Sequence, residues 1–146
     1  MSNQLPVRLS VDEYDEICAL WNIAGLPTRP IGRDSQQAFQ TQLDSGNQMA
    51  FGIRNAESQL IGVVLATHDS RKGWINRLAI HPDYQRQGFA AQLIETCEAH
   101  FKQLGILLTA ALVEAENVAS LALFQREGYH LHRDVFYLSK RENDEF

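Results

Sequence analysis

The chain has 146 residues, of which 45% are hydrophobic and 21% charged, with a formal net charge of −5. That length supports one domain with a sizeable core and is too short for two ordinary ones, and the composition is that of a folded globular chain rather than a disordered one. The acidic balance argues against a nucleic-acid binder, which carries a basic face, so any anionic ligand must be held by a local device.

In chain order, 7–9 reads as a short strand. Ser10 and Glu13 form Ser-x-x-Glu, a capping box opening a helix whose apolar side carries Val11, Tyr14, Ile17, Cys18 and Trp21 and which stops near Gly25. The segment GLPTRPIGRDS holds two prolines and two glycines and is a loop. Asp34 or Ser35 caps a second helix running to Leu43. Residues 49–54, 60–67 and 74–80 read as three strands separated by turns at NAES and DSRKG, which together form an antiparallel meander. A long helix follows Gly88, with Ala90, Leu93, Ile94, Cys97, Phe101 and Leu104 on one face, and Gly105 ends it. ILLTAALV is continuous enough to read as a central strand. NVASLALFQRE is a short helix capped by Asn117 and ended by Gly128, residues 135–139 form a last strand, and KRENDEF is a solvated tail. The order predicts an α+β domain over 1–146, with a right-handed parallel crossover in 74–113.

No apolar run approaches the ~20 residues of a membrane span. The opening MSNQLPVRLS has no apolar signal core, which with the span argument predicts a cytoplasmic protein without a membrane partner. Cys18 and Cys97 sit on apolar helix sides and read as structural thiols, with no disulfide expected in a reducing compartment. His130 and His132 share a strand face, but two ligands without a nearby carboxylate or thiol make a poor zinc site, so no metal is expected. His81 reads as part of a His-Pro turn.

One junction asks for a reason. Where the third meander strand hands over to the long helix, Gly88, Ala90 and Ala91 keep the side chains small. A helix N-terminus presents unpaired amides and partial positive charge, and small neighbours let a phosphate reach them, with Arg86 as a mobile cation. A glycine that merely permits a turn gives the same residues. Neither the Walker lysine nor G-x-G-x-x-G is present.

Gln85-Arg86-Gln87-Gly88-Phe89-Ala90 matches the pattern Gln/Arg-x-x-Gly-x-Gly/Ala of the GNAT superfamily of acyl-CoA-dependent N-acetyltransferases, and LAIHPDY resembles the strand and loop that precede it there. NVASLALFQREGY resembles the family's second signature. The close match covers about 74–129; the first half agrees in the order of its elements. The resemblance implies a GNAT-like mixed, mostly antiparallel twisted sheet with flanking helices and a central parallel strand pair. It also implies acetyl-CoA as acyl donor, its pyrophosphate on Arg86, Gln87, Gly88, Phe89, Ala90 and Ala91 and its pantetheine arm along Leu78, Ala79 and Ile80, between parallel strands that splay. Asn117 takes the position of a residue that contacts the arm in relatives, besides being a helix cap.

For the chemistry, the resemblance implies that Leu78 or Ile80 supplies a backbone amide to the thioester oxyanion. The usual tyrosine acid is replaced by Phe124, leaving water, Tyr84, Tyr129, Tyr137 or no dedicated acid for the departing thiolate. Where some relatives place a strand carboxylate this chain has Asn76 and Arg77, and where N-terminal acetylases place a glutamate it has Leu112. By strand alternation Glu114 shares the face of Leu112 and is the nearest carboxylate to serve as base, directly or through water, ahead of Glu116. The loops GLPTRPIGRDS and THDSRKG fall at the acceptor side, with Arg29, Arg33 and Asp34 able to hold a charged acceptor. The function expected is transfer of an acetyl group to a primary amine of a small molecule by direct attack. A protein N-terminal or lysine acetylase and a non-catalytic acyl-CoA-binding module are the alternatives. An exposed sheet edge leaves a homodimer open.

Overall fold

The computed structural model describes residues 4–146. The domain expected over 1–146 is therefore followed from residue 4, and residues 1–3 lie outside the described part. Strand β1 (Val7–Leu9) leads through a 3-10 turn at Val11–Glu13 into helix α1 (Tyr14–Ile23). The capping box forms as the sequence predicts. Ser10 N–H and Oγ–H reach Glu13 Oε2 at 2.8 and 2.9 Å, and Asp12 N–H donates to Ser10 Oγ at 3.2 Å. Helix α2 (Gln36–Asp44) is capped by Ser35, whose Oγ accepts from Ala38 N–H at 3.1 Å. Asp34 is spent inside the loop, its Oδ2 accepting from Arg29 N–H at 2.6 Å.

Strands β2 (Gln48–Arg54), β3 (Leu60–His68) and β4 (Gly73–Ile80) make the antiparallel meander, and β1 pairs antiparallel with β2. Helix α3 (Phe89–Gln103) then carries the chain over to β5 (Thr109–Ala111), parallel to β4, and helix α4 (Val118–Arg126) follows. The sheet order is β1-β2-β3-β4-β5. This is the mixed, mostly antiparallel α+β sheet expected, with its one parallel pair made by a β4–α3–β5 crossover. Strand β5 is shorter than the apolar run around it suggests and lies at the end of the order, bonded to β4 on one side only.

The last strand expected at 135–139 is not formed. Those residues carry no strand, and Val135, Phe136, Tyr137 and Leu138 are 69%, 84%, 70% and 88% exposed. Apolar β-formers in a row describe a segment that fits a pleated surface; they become a strand only where an edge is within reach. Among the described residues, no helix is long and apolar enough to cross a membrane.

Helices cover both faces of the sheet. Leu93, Ile94, Cys97 and Phe101 of α3 are fully buried on one face, joined by Phe124 of α4. Ile17, Leu20 and Trp21 of α1 and Phe39 of α2 are buried on the other. Burying a side chain of that size stabilises by about 1.5–3 kcal/mol, so a few such residues per helix suffice to hold it. Leu104, expected at the end of the α3 stripe, is 49% exposed because the helix closes at that residue.

Packing is tightest where β4 begins. A Cβ placed on Gly73 would lie 2.5–2.7 Å from the ring of Phe101, which has no exposed surface and no room to swing. Gly73→Ala should therefore cost about 2 kcal/mol, as small-to-large changes in packed cores do, and lower the melting temperature by roughly 6 °C. A thermal melt reads this directly; an unchanged Tm would mean that the core yields there.

Candidate functional site

The site begins with a defect in β4. Val63 pairs with Ala79 and Leu65 with Asn76, so Val64 faces both Arg77 and Leu78 across a β-bulge. Arg77 sits in the left-handed region, φ +55°. Before the bulge, β4 pairs with β5 from Gly73 to Ile75; beyond it the pairing stops. The two parallel strands thus part, and residues 76–80 keep β3 on one side and, among the described residues, no strand on the other. His81 N–H donates to Ile61 O at 2.8 Å, toward β3. Strand alternation then turns the N–H groups of Ile80 and Leu78 the opposite way, into the gap. The sequence assigned the arm to Leu78, Ala79 and Ile80, and this stretch of β4 is unpaired on the β5 side.

The turn after β4 closes one end of the gap. His81 Nδ1 accepts from Asp83 N–H at 3.1 Å and opens a 3-10 turn at Pro82–Tyr84, a structural role as expected. Arg86 and Gly88 are both left-handed, φ +64° and +85°. Gly88 is the N-cap of α3, and no side chain caps the helix. The first helical amide bond is Gln92 N–H to Gly88 O, at 3.1 Å, which leaves the amides of Phe89, Ala90 and Ala91 without an intrahelical partner. Arg86, Gln87 and Gly88 are exposed, and a Cβ on Gly88 would meet nothing within 4 Å. The turn is an open concavity of orphan donors at the positive end of a 15-residue helix, suited to an anion.

On the opposite face of β4, Arg77 ties the site to α1 and the 25–35 loop. Its guanidinium lies 4.3 Å from the Trp21 ring centre, its Nη1–H donates to Pro27 O at 2.7 Å, and its carbonyl accepts from Trp21 Nε1–H at 3.3 Å. Burial holds its pKa below the usual arginine value, with Asp34 opposing and Arg33 and Arg29 adding to the effect. Arg77 Nε and Nη2 and Arg29 Nε are buried without a hydrogen-bond partner among the described residues. Arg29, Arg33 and Asp34, named from sequence as an acceptor group, therefore gather around a fourth residue, Arg77, that the sequence offered only as a missing carboxylate. An uninterrupted strand pattern with no glycine gives no sign of a bulge.

Glu114 lies beyond the end of β5, exposed, in a turn where Asn117 N–H donates to its carbonyl at 2.9 Å. The alternation argument that set it on the face of Leu112 does not hold, because the strand stops at Ala111. Leu112 is 57% exposed and Glu116 is exposed in the same turn. Asn117 caps α4 as predicted, its Oδ1 accepting from Ser120 N–H at 3.1 Å. The phenols separate clearly. Tyr129 O–H donates to Glu98 Oε2 at 2.7 Å, and burial first, then that carboxylate, pushes its pKa far up. Tyr84 accepts from Asn55 Nδ2 at 2.9 Å, committed to the β2–β3 turn, and Tyr137 is on the exposed tail. Phe124 is buried, edge-on to Tyr129 at 5.1 Å.

Both thiols are free, and burial raises both. Cys97, fully buried, is pushed up to about 12, so it is a neutral, inert thiol at physiological pH. The rings of His130 and His132 stand 4.7 Å apart, and among the described residues no three metal-ligating side chains gather.

Residues 14–129 match the model of the Acetyltransferase (GNAT) family. An acetyltransferase of Sodalis glossinidius is 25% identical over 130 residues, and one of Yersinia pestis 26% identical over the same length, each match covering 89% of both chains. In structure, the chain is similar to an aminoglycoside 6'-N-acetyltransferase of Acinetobacter baumannii, with a TM-score of 0.78 at 17% identity over 97% of this chain and all of that one. It is also similar to the PaiA N-acetyltransferase of Thermoplasma acidophilum, solved with coenzyme A, with a TM-score of 0.76 at 19% identity, covering 90% and 92%. At these identities the structural likeness is one of fold.

Proposed function

The chain belongs to the GNAT family of acetyltransferases, and from that premise we propose that it moves an acetyl group from acetyl-CoA to a primary amine of a small molecule by direct attack. One observation carries the reading: the uncapped amides at the start of α3 and the unpaired edge of β4 lie in sequence along one gap. The pyrophosphate takes the amides of 86–91 with Arg86 as counter-ion, and the pantetheine arm runs as an added strand beside Leu78, Ala79 and Ile80. Asn117, at the far wall where α4 begins, contacts the arm. The thioester oxygen receives the N–H of Leu78 or Ile80, which stabilises the tetrahedral oxyanion. Glu114 takes the proton of the attacking amine, directly or through water. The carbon–sulfur bond then breaks, the amide forms, and the CoA thiolate leaves.

With Phe124 in place of the tyrosine, water supplies the thiolate's proton. A thiolate is a fair leaving group at neutral pH, so no dedicated acid is required. Tyr129 is already bound to Glu98, and Tyr129→Phe should leave kcat within about twofold while lowering stability by about 1 kcal/mol. A collapse of kcat in that variant, with loss of the alkaline limb of the pH profile, would reassign Tyr129 as the acid.

The cations gathered at this end, Arg29, Arg33 and Arg77, favour an acceptor that also carries an anionic group, such as an amino acid or peptide terminus, over a polycation. Incubating the protein with acetyl-CoA and an amine panel (amino acids, dipeptides, polyamines, aminoglycosides), and reading CoA release with a thiol reagent, tests the function. Release that requires an amine supports it. CoA binding by calorimetry with no release from any amine class would favour the second reading, an acyl-CoA-binding module, to which Phe124 points.

A further inference from the structure

Resting on the transfer reading above, we propose that Asn76 holds the attacking amine, its Oδ1 accepting one N–H of a primary amine, and that Thr67 is the positioning residue that keeps Asn76 turned to do so. The placement comes from the bulge. Pairing of β4 with β5 ends at Ile75, so Asn76 is the first residue past the point where the strands part. It stands two residues, about 7 Å of strand, before Leu78, whose N–H is one of the two candidates for the thioester oxygen. Ile75 and Leu78 pack on the α3 side of the sheet, and Ala79 on the α1 side. Asn76 pairs with Leu65, buried on the α1 side, and the Arg77 guanidinium stacks on Trp21 of α1. The bulge thus puts two consecutive side chains, Asn76 and Arg77, on one face, the face that the 25–35 loop reaches at Pro27.

The side chain is also set for the role. Asn76 Nδ2–H donates to Thr67 Oγ1 at 2.8 Å, from the same face of the neighbouring strand, and that bond fixes which end of the amide points where. Among the described residues no donor bonds Oδ1, and the atom is open to solvent although the residue is half-buried. An amide oxygen held in this way suits a neutral amine: it gives an ammonium no ion-pair advantage, and Arg77 beside it opposes that charge. The course of the reaction then selects a primary amine. The nitrogen lone pair forms the bond to the thioester carbon, the carbon–sulfur bond breaks with its electron pair going to the CoA thiolate, and one N–H proton leaves to Glu114 or water. The other N–H stays on nitrogen throughout, and its bond to Oδ1 tightens as positive charge builds there in the transition state. A secondary amine has a single N–H, which it must lose, so it cannot keep Asn76 paired to the end.

Steady-state kinetics of the full chain, with the most active amine of the panel and its N-methyl counterpart (glycine and sarcosine, if an amino acid leads), test this. Asn76→Ala should lower kcat/KM for the primary amine about 10- to 100-fold, with coenzyme A affinity by calorimetry within about twofold of the parent. Thr67→Val should lower it by about fivefold to tenfold, and Thr67→Ser, which keeps the hydroxyl, should restore the parental value. Thr67→Val combined with Asn76→Ala should be no slower than Asn76→Ala alone, because the hydroxyl acts only through the amide. The preference for the primary over the N-methyl amine should narrow in both Asn76→Ala and Thr67→Val; a side chain that only supports the fold would lower Tm and leave that ratio unmoved. If Asn76→Ala does not fold, the two Thr67 variants read the same contact. Parent-like kcat/KM in Asn76→Ala, or losses that add in the double variant, overturn the proposal while the parent's own CoA release upholds acetyl transfer. A parent that releases no CoA with any amine overturns both.

Discussion

Replacing Gly88 with valine should weaken coenzyme A binding by a hundredfold or more while lowering the melting temperature by only a few degrees. The two effects separate because the glycine serves them through different properties. For folding, its left-handed φ of +85° matters, and a β-branched residue forced there costs about 1–2 kcal/mol; nothing lies within 4 Å to add a clash. For the ligand, the empty space itself matters. A valine side chain would stand where a phosphate must approach the main chain, and losing two charge-assisted amide bonds of about 1.5–3 kcal/mol each is worth at least two decades of affinity. Gly105 supplies the control. It has φ +79°, equally open surroundings and a place at the other end of the same helix. Gly105→Val should show the same loss of Tm and no loss of affinity by calorimetry. Equal affinities for the parent and Gly88→Val would remove the pyrophosphate from this turn.

The same distinction explains how much of the molecule was legible beforehand. Local chemistry was readable: the Ser10–Glu13 box, the Asn117 cap, the meander turns and the apolar stripe of α3 as far as Phe101 are set by residues a few positions apart, and they form as expected. So was the turn at Gly88, because its amides belong to the chain segment that displays the pattern. Features that depend on distant partners were not. The bulge at Arg77 arises from a one-residue mismatch between β3 and β4, invisible in either strand alone, and it parts β4 from β5. Residues 135–139 have strand composition, yet composition does not supply an edge. Glu114 shows the cost of extrapolation: an apolar run suggested a strand through residue 113, and the face assigned to the glutamate rested on two residues that are not in it.

Glu114→Gln therefore tests the weakest link in the chemistry, and it should lower kcat by about a hundredfold at neutral pH with little change in KM for acetyl-CoA. A positioned base contributes about 10²–10⁴ in rate, and a solvent-exposed group in a turn belongs at the low end of that range. The exchange is close to isosteric. The turn is held by the Asn117 N–H to Glu114 carbonyl bond and α4 by the Asn117 side chain, neither of which uses the carboxylate. Raising the pH should recover much of the loss, because a growing fraction of the amine arrives already neutral and no longer needs the base; a variant damaged in folding or in donor binding would not recover this way. Glu116→Gln, in the same exposed turn, should stay within twofold of the parent. If Glu114→Gln matches it, solvent deprotonates the amine, and what the protein contributes reduces to the backbone: amides that hold the diphosphate, an unpaired strand edge that aligns the thioester, and one N–H aimed at its oxygen. That arrangement would still transfer an acyl group, with its rate following the free-base fraction of the acceptor up the whole pH range.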